Sequence, residues 1–262
     1  LTYTYASTPS FGRYIDSING YTVEQPDGWM FTINDVLSNV SASLAAVKDG
    51  DRILWYEGTT ENRFQGPTWQ QLTEGSAVEW QDITSIQDLQ ALANATDEET
   101  LGKSYRLTTD LDLTGVTLSS IGSAAAPFTG VFDGQNHTIS NLTLQGQANT
   151  GLFGVIEGAT VKNLNVTNAA VTGTEQVGIL VGYAKAELNK ADMGQSKANL
   201  IGNCHVSGTV TGNAKVGGLV GVNEGKYDSE TLFSIYSAVD QCTADVTVTA
   251  AGADSANIGG LA

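Results

Sequence analysis

Asn149–Gly154 (NTGLFG), Gln176–Gly182 (QVGILVG), Lys215–Gly221 (KVGGLVG) and Asn257–Ala262 (NIGGLA) are four copies of one pattern. A second pattern runs in phase with it: Ile139–Leu144 (ISNLTL), Val161–Val166 (VKNLNV), Ile201–Val206 (IGNCHV) and Val239–Ala244 (VDQCTA). Recurrence on this scale predicts a solenoid, in which each repeat buries its apolar face against the next. The opening Ile/Val residues are 22, 40 and 38 residues apart. The two long copies carry extra stretches, 184–199 and 223–237, and without them every turn is about 22–25 residues. That length, with short β-prone segments between Gly and Asn, predicts a parallel β-helix. It is too short for a propeller blade, and no helical period supports stacked helix pairs.

Stacking like on like predicts one interior column of Leu142, Leu164, Cys204 and Cys242, with Asn141, Asn163, Asn203 and Gln241 as a polar ladder beside it. Upstream, Tyr105–Leu113 (YRLTTDLDL) alternates as a strand should, and Phe128–His137 reads as a strand and a turn. Thr84–Asn94 is the best helix in the chain. Ser85 or Thr84 can cap it, and Ile86, Leu89, Leu92 and Ala93 share one face. An open solenoid end exposes apolar interior and strand edges, so this helix is expected to cover the N-terminal end.

Composition narrows the function. The 262 residues hold 28 Asp+Glu against 12 Lys+Arg, a net charge of −16, with 30 glycines. Such a charge repels phosphates, which argues against nucleic acid and anionic membranes as partners. No apolar run of 18 residues exists, so no membrane-spanning helix is expected. Low charge density with many Thr, Asn, Ser and Gly suits an exported protein. The chain is expected to be a piece of a longer polypeptide, cut within its last repeat.

The run YRLTTDLDLTG…PFTGVFDGQNHTISNL…TGLFG…VKNLNV…VGILVG…VGGLVG resembles the GLUG-motif repeat family of bacterial surface and secreted proteins, over residues 83–262. The resemblance implies a right-handed parallel β-helix on an exported bacterial protein, and the motif also occurs in the non-catalytic part of immunoglobulin A-specific metallopeptidases. Residues 1–66 follow another grammar. Trp29, Phe31 and Ile33 alternate with Met30 and Thr32, and a Lys48–Asp51 turn (KDGD) leads into a strand at Arg52–Tyr56. Gly28-Trp29-Met30, Asn34, Lys48–Asp51 and Trp55 resemble the small β-grasp-like domain at the C-terminus of transcobalamin, which implies a cobalamin-like ligand, a glycan on Trp29 and Trp55 being the other ligand reading. The expected organisation is therefore mainly β: a β-grasp-like domain over 1–66, a linker over 67–82 with Trp69 and Trp80 as contacts, and a helix-capped β-helix over 83–262.

Candidate chemistry is sparse. His137 lies in the FDGQNHT turn and His205 in a repeat strand, with no HExxH or paired-His spacing for zinc. Cys204 and Cys242 replace Leu in the repeat and are expected as free thiols, since side chains from stacked strands meet disulfide geometry poorly. Asp110 and Asp112, read on one strand face, could hold a cation but lack a third ligand. Trp29 and Trp55 are a candidate platform for a flat ligand. The two inserts leave one corner of consecutive turns, and per-repeat insertions often form a binding face. Lys190, Lys197, Tyr227, Phe233 and Tyr236 are its candidate partner contacts.

The expected function is a non-catalytic stalk or adhesive segment of a secreted or surface bacterial protein. It is expected to be no enzyme and to have no catalytic residue, metal or cofactor. A monomer binding a host protein or glycan is expected. A ligand-binding module centred on the N-terminal domain and a carbohydrate-active β-helix enzyme are the alternatives.

Overall fold

The computed structural model describes residues 3–8, 12–18, 21–22, 28–34, 36–37, 48, 50–51, 53–58, 78–190, 196–230, 233–252 and 256–259. The chain divides into two compact units, Leu1–Val78 with Asn189–Ser196, and Glu79–Leu188 with Lys197–Ala262. Both are mainly β.

In the first unit Tyr3–Thr8, Gly12–Ile18 and Tyr21–Thr22 form an antiparallel sheet. A second antiparallel sheet sets Gly28–Ile33 between Val36–Leu37 and Ile53–Gly58. The KDGD turn closes as the sequence suggests. Gly50 takes φ +92°, and the Asp51 amide donates to the Lys48 carbonyl at 3.1 Å. Asp51 also accepts from the Lys48 amide at 2.8 Å and from Asn34 Nδ2 at 2.9 Å, so its carboxyl sits below the usual aspartate range. Phe31, Ile33 and Tyr56 are buried. Thr32 is buried too, with its hydroxyl unpartnered, so the strand is covered on both sides and not on the Phe31 side alone. Of the linker expected over 67–82, residues 67–77 lie outside the described residues. Trp80 does not belong to a linker but opens the strand Trp80–Ile83.

In the second unit the strand Trp80–Ile83 is followed by α1, Ile86–Ala93, the helix that the sequence predicts. Ser85 Oγ accepts from the Asp88 amide as N-cap, and Leu89, Leu92 and Ala93 are buried. A short α2, Glu98–Leu101, follows, capped by Asp97 and buried at Leu101. The chain then visits four parallel sheets in rotation. The first sheet runs Trp80–Ile83, Ser104–Leu107, Val131–Asp133, Thr160–Lys162, Leu200–Gly202 and Ala238–Asp240. The second contains Leu111–Asp112, Thr138–Ser140, Asn165–Thr172, His205–Gly212 and Thr243–Ala250, with Thr143–Gln145 paired to Asn165–Thr172.

The third holds Ala148–Thr150, Glu175–Val177, Ala214–Val216 and Ala256–Ile258. The fourth holds Phe153–Glu157, Val181–Lys185 and Val220–Asn223. This rotation is consistent with a parallel β-helix. Phe128, Phe132 and Phe153 cluster in its early turns, with ring centroids 5.2 Å (Phe128–Phe153) and 5.4 Å (Phe132–Phe153) apart, and aliphatic residues fill the later turns.

The glycine motif stacks in register. Thr150, Val177, Val216 and Ile258 pair in succession. Asn149, Gln176 and Lys215, beside them, all take left-handed φ of 53–57°. The glycine closing the first three copies, Gly154, Gly182 and Gly221, is required by close approach. A Cβ on Gly182 would stand 2.5 Å from the Asn149 carbonyl carbon and 2.6 Å from the Thr150 nitrogen.

The second pattern is out of step by one corner in its first copy. Val161 pairs with Phe132, and Ile139 pairs with Val166. The interior column is therefore Leu164, Cys204 and Cys242, while Leu142 lies on the Ala169 line. Likewise Asn203 Nδ2 donates to Asn163 Oδ1 at 2.9 Å, but Asn141 bonds Asn168 and not Asn163. The turn that holds Asn163 has a second Asn corner of the same left-handed kind at Asn168, and sequence phase confuses the two. Leu164 and Cys204 are buried, but Cys242 is only half-buried, like its neighbours Val239, Ala244, Val246 and Val248. Both cysteines are thiols. Burial and the Cys242 contact push the Cys204 thiol up, the contact being the larger cause.

Tyr105–Leu113 is not one strand. It bends between Ser104–Leu107 and Leu111–Asp112, which belong to different sheets.

Candidate functional site

Both insertions leave between the fourth sheet and the first, so they share one corner of successive turns. Their bases are bonded together. The Ala186 amide donates to Glu224 Oε2 at 3.0 Å, and Asn199 Nδ2 donates to Ser237 Oγ at 2.9 Å. Asn199 and Ser237 are buried, and Asn199 Oδ1 also accepts from the Ala159 amide at 3.1 Å. The first insertion is pinched shut where Glu187 and Lys197 exchange backbone bonds of 3.0 and 2.7 Å.

Lys197 is not an available cation. Its Nζ lies 3.3 Å from Glu157 Oε1 and 3.1 Å from Glu187 Oε2, and Lys185 Nζ lies 3.0 Å from Glu157 Oε2. Glu157 is buried beneath them. Burial alone would raise its pKa, but its contacts with Glu187, Lys185 and Lys197 hold it below the usual glutamate range. The sequence carries a signal for this arrangement: Glu157 and Lys185 hold equivalent repeat positions with opposite charge, and parallel stacking superimposes them. Beside them Tyr183 is pushed up to about 12 by burial and by Glu224. Glu224 in turn sits low, against its own burial, because Lys226, Tyr183 and the Ala186 amide bond it. Glu157, Tyr183 and Glu224 were not among the residues singled out from sequence.

The second insertion is an antiparallel ribbon of Gly225–Asp228 and Phe233–Tyr236. Its register sets Gly225 opposite Tyr236 and Tyr227 opposite Ser234, so these four share one face. The other face packs inward through Ile235 and Asp228, each 3% exposed. The outer face is open, with Tyr227 64% and Tyr236 62% exposed. Of the five expected contacts, the structure brings Tyr227 and Tyr236 together. The Phe233 side chain lies outside the described residues. Lys190 lies in Asn189–Ser196, which belongs to the first unit.

In the first unit Trp55 is half-buried, its ring 4.7 Å from that of Phe31, which it faces across the strand pair. Trp29 stands opposite Glu57 in the backbone register, and its side chain lies outside the described residues. The visible stacking partner of Trp55 is thus a buried phenylalanine, an arrangement suited to packing.

Asp110 and Asp112 are committed to corners. Asp110 Oδ1 accepts from the Thr138 amide at 2.9 Å and lies 3.0 Å from His137 Nδ1. Asp112 Oδ1 accepts from Asn141 Nδ2 at 2.7 Å and from the Thr114 amide at 3.0 Å. Both carboxyls lie below the usual aspartate range for these reasons. His205 Nδ1 meets Thr243 Oγ1 at 2.8 Å on the surface. Among the described residues no group of three or more His, Cys, Asp or Glu side chains could hold a metal ion. No helix there is long and apolar enough to cross a membrane.

Residues 2–59 match a family described as a domain of unknown function, DUF4430. The chain is 34% identical over 160 residues to halomucin of Haloquadratum walsbyi, covering 56% of this chain and 2% of halomucin. It is 26% identical to the immunoglobulin A1 proteases of Streptococcus sanguinis and Streptococcus pneumoniae, over 87% and 84% of its length. It spans only 13% and 11% of those proteins. A crystal structure from Bacteroides ovatus, provisionally assigned as an immunoglobulin A1 protease, superposes with a TM-score of 0.53. That match has 24% identity over 63% of this chain and 47% of the other, and is a likeness of fold. The expectation of no enzyme is overturned by these relatives, because proteins named as proteases match most of the chain's length.

Proposed function

We propose that this chain is a segment of a larger, exported, surface-associated protein of the immunoglobulin A1 protease kind, and that it supplies a recognition face. In this reading residues 83–262 form a right-handed β-helix of GLUG-type repeats. Residues 1–66 are a transcobalamin-like β-grasp domain, and the residues between it and the strand at Trp80–Ile83 link the two. The support for a larger protein is the small share of each relative that the chain spans, and the support for an extracellular setting is the kind of relative it matches. The observation that carries the recognition role is the insertion corner. Two insertions, bonded at their bases, hold up a ribbon whose outer face exposes two tyrosines. Ordering such a ribbon has an entropic cost that plain stacking would not incur.

The test is binding of the intact chain to immobilised immunoglobulin A1, alongside a variant with residues 225–236 replaced by a short Gly/Asn turn. Loss of binding with the stack still folded supports the reading. Equal binding by both forms, or none by either, counts against it.

A further inference from the structure

We propose that the outer face of the ribbon, Tyr227 and Tyr236 with Ser234 between them, is a binding platform for a neutral glycan. This rests on the reading of the insertion corner as a recognition face and names the partner's chemistry. The two tyrosines are diagonal neighbours, because Tyr227 faces Ser234 and Tyr236 is two residues further along that strand. Diagonal positions on a strand pair are about 7–8 Å apart, so two rings of one linear chain can each meet a tyrosine. Gly225 opposite Tyr236 has no side chain to block the approach of a flat ring; even an added Cβ would meet nothing closer than 3.4 Å. Pyranose rings present C–H faces that stack on aromatic rings and hydroxyls that the tyrosine and serine O–H groups can bond.

Charge decides the class of glycan. The insertions hold lysines, which would suit an acidic partner, but Lys185, Lys197 and Lys226, at the base of the ribbon and beside it, are paired internally. Lys226 is paired with Glu224, Lys185 with Glu157, and Lys197 with Glu157 and Glu187. The same pairs engage Glu224 and Glu157, and Glu230, exposed in the turn of the ribbon, lies off its outer face. Asp228 is buried on the inner face. The four outer-face residues carry no charge, and the chain as a whole, at −16, repels anions. A neutral, hydroxyl-rich chain meets neither obstacle.

Affinity electrophoresis of the intact chain tests this. The gels contain neutral polysaccharides (mixed-linkage β-glucan, galactomannan, xyloglucan) or anionic ones (polygalacturonate, hyaluronate). The expected result is retardation by at least one neutral polysaccharide that persists in high salt. Tyr227→Ala and Tyr236→Ala should each weaken it several-fold and together by about tenfold or more. Tyr227→Phe with Tyr236→Phe keeps the stacking surface and should retain most of the effect. No retardation in any neutral gel overturns the proposal. So does retardation unchanged by the double alanine variant, or retardation confined to anionic gels and abolished by salt. If the chain binds enzymatically deglycosylated immunoglobulin A1 through the ribbon but no neutral glycan, this inference fails and the recognition role stands.

Discussion

Replacing Gly182 by alanine adds one methyl group at a place where two turns lie in close contact. The new Cβ would lie 2.5 Å from the Asn149 carbonyl carbon and 2.6 Å from the Thr150 nitrogen, both backbone atoms of the turn beneath. Ordinary van der Waals contact begins near 3.4 Å, so the turns must part by about 0.9 Å or the strand must tilt. Overpacking of this kind costs about 1–3 kcal/mol, and backbone neighbours that cannot swing away favour the upper end. Alanine also lowers the entropy of the unfolded chain, which returns about 0.4–1 kcal/mol. The net expectation is destabilisation by about 2 kcal/mol. For a domain of this size that is a fall of about 4–8 °C in melting temperature.

Gly202→Ala is the control. Nothing lies within 4 Å of its added Cβ, so the melting temperature should hold or rise slightly. Thermal unfolding followed by circular dichroism reads both. If Gly182→Ala melts within about 1 °C of the parent, or if Gly202→Ala is equally harmful, the close-approach account of the repeat glycine is wrong.

Leu164→Ala, in the buried column, should cost about 2–5 kcal/mol in denaturant unfolding, whereas Cys242→Ala, half-buried on the same line, should cost much less. Ser85→Ala removes the N-cap of α1 and should cost about 1 kcal/mol, with Ser85→Asp restoring most of it. Glu157 and Glu224 are held below their ordinary value of 4.5, so their contribution is complete above that pH and is lost as pH falls through their folded values. Because their lysine partners are partly exposed, the loss for Glu157 should stay below about 1 kcal/mol, and a Glu157→Gln variant should show a flatter acid limb in a pH series of melting curves.

The repeat, its spacing, the corner from which both insertions leave and the helix at Ile86–Ala93 are legible along the chain. These are local or periodic facts. Gly182 and Gly221 recur because backbone stacks on backbone there, and Ser85 with Leu89 and Leu92 specifies a capped, one-faced helix whatever lies beyond it. Which Asn corner lies over which is set by the pairing of strands from different turns. Ile139 and Val161 begin look-alike segments, yet Ile139 pairs with Val166 and Val161 with Phe132, because register is set by the neighbouring strand and both corners of a turn share one local grammar. The same holds for charge. Lys197 reads as a free cation along the chain and becomes half of an internal pair once Glu157, 40 residues earlier, is stacked beneath it. Sequence fixes which residues can face one another; whether a side chain is left over for a partner depends on what the stack places beside it.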